Sequence, residues 1–183
     1  QPVKRTLYAC SDGFENMTVY ELSHVWTYLD AFGKSNSPLH LASAIAVIYR
    51  PSRRETAEEL ASGWCGDRRR GFYGEESNVA ARAEMILTLH PDTLSLLYTW
   101  MVSCRQTILD EYEVLFQEGS STAIDPEKPD FGWAGLLLQV ADGVVDLEKV
   151  ANHKWRTVFT YLAKLEHDRR EAEFKQNMAA KAL

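Results

Sequence analysis

The sequence predicts an all-α fold, a single-domain irregular bundle of about six helices that closes with a charged C-terminal helical arm. Apolar residues recur three and four positions apart along most of the chain, and no stretch alternates strictly for more than a few residues. Size points the same way. A chain of 183 residues, 45% hydrophobic and 25% charged, can bury one core without metals or disulfides.

Taken in order, Thr18 with Glu21 three residues on is a capping box, opening a helix with Val19, Leu22, Val25, Trp26 and Leu29 on one face. Its end is expected near Phe32-Gly33, with Gly33 available for a left-handed C-cap. Ser37-Pro38 restarts a helix, Ser as cap and Pro at the first helical position, running through Leu41, Ala44, Ile45 and Ile48 to Arg50, where Pro51 stops it. From Ser52 to Gly74 the composition changes: Arg53, Arg54, Arg68, Arg69 and Arg70 are interleaved with Trp64, Phe72, Tyr73 and four glycines. Glu55 to Leu60 is compatible with a short helix there, and the remainder reads as loop.

A third helix is expected from Val79 to Leu89, and a long fourth from near Asp92, carrying Leu94, Leu97, Tyr98, Met101, Val102, Ile108, Tyr112, Leu115 and Phe116. Ser120 to Pro129, rich in Ser, Asp and Pro, reads as a linker. Phe131, Trp133, Leu136, Leu137, Leu138 and Val140 then predict a short helix, apolar nearly all round and so central. Asp146 is placed as the cap of a brief turn, Leu147 to Val150. His153-Lys154 opens a last helix that buries Trp155, Val158, Phe159, Leu162 and Leu165. Beyond Glu166 the pattern turns highly charged while Phe174 and Met178 persist, which predicts a projecting arm. Residues 1–165 are thus expected to form the helical domain, with Ser120–Pro129 an internal linker, and residues 166–183 its charged extension.

Chemistry is sparse in this sequence. Cys10, Cys65 and Cys104 are odd in number, far apart and never paired as CxxC, so neither a zinc site nor a disulfide framework is expected and reduced cytoplasmic thiols are the default. The apolar runs fall short of the ~20 residues that span a bilayer, and the first residues lead into Thr6-Leu7-Tyr8 rather than an apolar signal core. Glu21-Leu-Ser-His24 has the spacing with which a helix offers a carboxylate and an imidazole to one metal, but no second copy exists. Asp130-Phe131-Gly132 matches the kinase magnesium triplet in letters without a glycine-rich turn or a His-Arg-Asp loop, and reads better as an N-cap. His24, His40, His90, His153 and His167 sit in separate elements, and Glu75, Glu76, Asp110 and Glu111 read as solvated faces. No catalytic residue, cofactor or metal is expected.

The strongest local anomaly is Arg68 to Arg70 beside Trp64, Phe72 and Tyr73, since guanidinium forks grip phosphates and aromatic faces stack on bases. A formal net charge of −6 and the lack of any phosphate-loop spacing disfavour nucleic acid. The expected partner is therefore another protein, met through Trp64, Arg68, Arg69, Arg70, Phe72 and Tyr73 in the basic loop and Arg169, Arg170, Phe174 and Met178 in the arm.

One arrangement extends this reading. An amphipathic helix ends in Ile48-Tyr49-Arg50-Pro51, a basic loop follows with Arg70 and Phe72, and a Pro91-led helix carries Leu97, Tyr98 and Trp100. The chain then closes with Gly132-Trp133-Ala134-Gly135 through Ala141-Asp142 and a Val158-to-Leu162 helix. Together these resemble the small helical assembly proteins of tailed bacteriophages, particularly tail-assembly chaperones and related packaging or connector components. The resemblance implies a non-enzymatic protein that engages an elongated tail or neck protein in the host cytoplasm, with Arg50 and Pro51 marking a tight turn. The alternatives are a structural virion component, such as a connector, neck or internal protein, built as a homo-oligomer; a nucleic-acid binder using Arg53, Arg54 and Arg68 to Arg70; and a helical enzyme with a site assembled from distant residues.

Overall fold

The computed structural model describes residues 7–52, 69, 72, 78–116, 132–138, 140–141 and 144–181. Among them are eight α-helices and one two-stranded sheet, an all-α architecture. Contacts sort the chain into two compact units, Gln1–Arg105 and Gln106–Leu183. The division falls inside a helix and not at Ser120–Pro129, which lies outside the described residues, as does Glu55 to Leu60.

In the first unit, β1 (Leu7–Tyr8) pairs antiparallel with β2 (Arg50–Pro51), placing Leu7 opposite Pro51 and Tyr8 opposite Arg50. The helix expected to run to Arg50 ends instead at Ile48, with Tyr49 as its C-cap, and Arg50-Pro51 forms sheet. Between β1 and the first helix, a 3-10 turn at Asp12–Phe14 carries Gly13 and Phe14 at φ of 63° and 62°. Such a backbone costs a β-carbon-bearing residue about 1 kcal/mol or more. Phe14 is nonetheless fully buried, edge-on to Trp100 at 5.2 Å, and that burial offsets the strain.

Helix α1 (Val19–Ser35) starts with both hydrogen bonds of the capping box: Thr18 Oγ1 accepts from the Glu21 amide and Glu21 Oε2 from the Thr18 amide. Val19, Leu22, Val25, Trp26 and Leu29 are buried as their spacing predicts. The helix outruns its expected end. Gly33 is interior, and the left-handed C-cap is Asn36 at φ 53°, whose short polar side chain tolerates that region.

Helix α2 (Pro38–Ile48) has Pro at its start but no side-chain cap from Ser37. Every residue from Leu41 to Ile48 is buried, and α2 packs against both α1 and α3 (Val79–Ile86). Ala42, Ser43, Ala44 and Ala46 keep it narrow, so two neighbours can close on it. This is the central helix of its unit. The Trp133-to-Leu138 helix, expected to be central, buries only Leu137 among its described side chains. Helix α3 stops at Ile86, leaving Leu87 and Leu89 exposed in the connection to α4 (Pro91–Glu111). Helix α4 runs unbroken past Ser103-Cys104 and is interrupted at Tyr112.

In the second unit, α5 (Glu113–Phe116), α6 (Gly132–Leu138), α7 (Val144–Ala151) and α8 (Trp155–Lys181) surround an aromatic cluster. Trp155 and Phe159 are fully buried, Tyr112 meets both rings edge-on at 5.8 and 5.6 Å, and its hydroxyl lies 3.0 Å from Thr160 Oγ1. Trp133 stacks on Phe159. Asp146 lies inside α7, paired with Lys149 at 2.6 Å, because α7 begins at Val144, ahead of the expected cap. Helix α8 has 27 residues and is about 40 Å long. Its buried face is Trp155, Val158, Phe159 and Leu162, but the next buried residue is Glu166 and not Leu165, which is 40% exposed.

Candidate functional site

Glu21, the carboxylate of the Glu-x-x-His pair, belongs to an ion cluster inside the first unit. Its Oε1 accepts from Arg50 Nη2 at 2.7 Å, and its Oε2 lies 3.5 Å from Arg69 Nη2. Arg69 also donates to the Ile48 carbonyl at 3.2 Å and to Asn16 Oδ1 at 3.3 Å, and Asn16 Oδ1 accepts from the Ser11 amide. Glu21, Arg50 and Arg69 are all at least nine-tenths buried. One carboxylate thereby ties together the start of α1, strand β2 and the backbone at Arg69, which bridges Ser52. Phe72 is buried beside this cluster, with the Arg50 guanidinium 5.7 Å from its ring centre and Tyr20 and His24 packed at 5.7 and 5.1 Å. His24, half-buried, bonds back to the Tyr20 carbonyl at 2.9 Å.

These placements revise the expected contact surface. Arg69 and Phe72 are turned into the first unit, where the carboxylate of Glu21 and the rings of α1 engage them. Trp64, Arg68, Arg70 and Tyr73, together with Arg53, Arg54, Glu75 and Glu76, lie outside the described residues. Among the described residues no group of three His, Cys, Asp or Glu is disposed to hold a metal ion, and no helix is long and apolar enough to cross a membrane. His40 bonds Ser35 Oγ at 2.8 Å and His90 lies 3.4 Å from Asp92, each close to home in sequence. Asp110 accepts from Gln106, and Glu111 pairs with Arg156. Burial pushes the Cys10 thiol up to about 12, against the pull of the Arg69 guanidinium, and raises Cys104 as well. Thiols held protonated are poor nucleophiles.

The end of α8 is built differently. Glu166, 2% exposed, receives Arg169 through Nε and Nη2 at 2.9 and 2.7 Å and Arg170 through Nε at 2.8 Å, while Arg170 Nη2 reaches the Val114 carbonyl of α5 at 3.3 Å. Arg170 therefore ties the helix to α5, while Arg169 pairs with carboxylates of α8 itself. The hydrogen bonds to Glu166 drive Arg169 further up from its ordinary range, so it stays charged. From Glu171 to Ala180 every side chain is exposed. The positions that continue the buried face are polar here, namely Glu173, Gln176 and Asn177. Phe174 and Met178, 64% and 54% exposed, stand one turn apart, roughly a third of a turn round the helix from that face.

The Glu166 anchor has a signature in the sequence, a carboxylate followed by arginines three and four residues later. The Glu21–Arg69 pair, by contrast, spans 48 residues and has no local signature. No protein-family model, no curated protein and no solved structure matches the chain.

Proposed function

We propose that the chain is a non-enzymatic adaptor that docks another protein through the distal end of α8, in the manner of the phage assembly chaperones its sequence resembles. The observation that carries this reading is a helix that leaves its packed unit at Arg170 and then presents Phe174 and Met178 to solvent on a face its buried half does not use. Isolated apolar residues on a surface are ordinary, but an i, i+4 pair of large apolar side chains on a projecting helix is the form in which helices are taken up by grooves. A tail or neck protein in the host cytoplasm is the partner that the resemblance suggests.

The test is capture from host lysate by tagged full-length chain and by the double variant Phe174→Glu/Met178→Glu, with bound proteins identified by mass spectrometry. The adaptor reading predicts one dominant protein with the parent chain and at least a tenfold loss with the variant. Equal capture by both would contradict it.

A further inference from the structure

We infer that Cys10 and Cys104 are a redox pair, two free thiols that become one disulfide when the chain meets a low-molecular-weight disulfide, clamping the end of β1 to α4. The inference is independent of the docking reading of α8. Both cysteines belong to the first unit and both are buried, each 8% exposed. Cys10 follows β1 and leads into the Asp12–Phe14 turn, where the Phe14 amide donates to the Ser11 carbonyl at 3.2 Å and folds the segment back on itself. That turn is seated on α4. The Phe14 ring meets Trp100 at 5.2 Å, and Cys104 stands one helical turn beyond Trp100 on the same face.

The two sulfurs also sense one another. Burial raises the Cys10 thiol, Arg69 pulls it down, and Cys104 raises it again, as a second thiolate close by does. Burial likewise raises Cys104, and the amide of Gly13, in the turn that Cys10 leads into, opposes that rise as a donor to its sulfur. No local spacing in the sequence links residues 10 and 104; the turn from Ser11 to Phe14 brings them together. When this turn opens, one thiol loses its proton and its sulfur attacks the small disulfide, expelling one small thiolate and leaving a mixed disulfide. The second sulfur, deprotonated in turn, attacks the first and expels the other small thiolate. The chain gives up two protons and two electrons, and the small disulfide becomes two thiols. Thiols held protonated while buried make the exchange slow, but its product closes a long loop and is favoured by folding. The clamp also bears on the ion cluster, because β1 pairs with the strand from which Arg50 reaches Glu21.

The test equilibrates the full chain in mixtures of reduced and oxidised glutathione, natively and in guanidinium chloride, and maps the linkages by mass spectrometry. The three cysteines fall in separate tryptic peptides, so each linkage is distinct. Cys10–Cys104 is expected as the dominant linkage, favoured roughly 100-fold more in the native chain than in denaturant. The oxidised chain is expected to melt about 5–15 °C above the reduced one. Cys65→Ser should keep both the linkage and the shift, and Cys104→Ser should lose both. Free thiols at Cys10 and Cys104 in the native chain at equilibrium, a linkage through Cys65 in their place, a native preference no larger than that in denaturant, or an oxidised chain that melts no higher than the reduced one would overturn the inference.

Discussion

At the scale of single residues, Glu21 is where the structure departs furthest from what its neighbours in sequence suggest. As half of a capping box it would be worth about 1 kcal/mol; as the partner of two buried guanidiniums it is worth more, because removing it strands charge inside the unit. Glu21→Gln is expected to lower stability by about 3–5 kcal/mol in chemical denaturation. A loss under 1 kcal/mol would mean the cluster contributes no more than the cap. The basic loop reads as a surface feature because arginines and aromatics near glycines are usually exposed, and nothing within five residues of Arg69 or Phe72 reveals the carboxylate and rings that enclose them. The cysteines give a second test. A thiol whose folded value lies above the ordinary 9.0 contributes stability that is fully present below pH 9 and is lost as the pH climbs toward about 12. Cys10 and Cys104 should resist iodoacetamide in the native chain at pH 8 and react rapidly in denaturant, as read by peptide mass spectrometry; rapid native labelling would contradict their burial.

At the scale of elements, the local grammar of helices was readable and its punctuation less so. The capping box at Thr18 and the buried face of α1 follow directly from spacing. The end of α1 does not, because a glycine at a plausible stopping point is silent about whether the helix continues through it. A terminal Gly33 with positive φ would resist substitution, whereas the interior Gly33 has open space where a β-carbon would stand. Gly33→Ala is therefore expected to stabilise the chain by about 0.5–1 kcal/mol, and a destabilised variant would place the C-cap at Gly33 after all. The centrality of α2 was hidden for a related reason. Both α2 and α6 are largely apolar, and composition alone does not say which of two apolar helices has neighbours on both sides. In the second unit, Phe159 is the ring on which Tyr112, Phe116, Trp133 and Trp155 converge, and Phe159→Ala should cost about 3–5 kcal/mol in a denaturant titration.

At the scale of the molecule, the charged stretch from residue 166 to 181 is the continuation of α8, and its side chains are exposed from Glu171 to Ala180. Glu166, Arg169 and Arg170 belong to the packed unit, so what projects begins at Glu171. The sequence shows the change from apolar to charged, but it does not show that the first charges fold back on a buried glutamate and on the Val114 carbonyl. The most direct test of the account compares the full chain with one ending at Arg170, measuring capture of the lysate partner with thermal melting alongside. A docking end predicts unchanged cooperative melting and loss of capture. Retained capture, or a midpoint lowered by many degrees, would show instead that the last turns of α8 serve the fold and that the partner is met elsewhere.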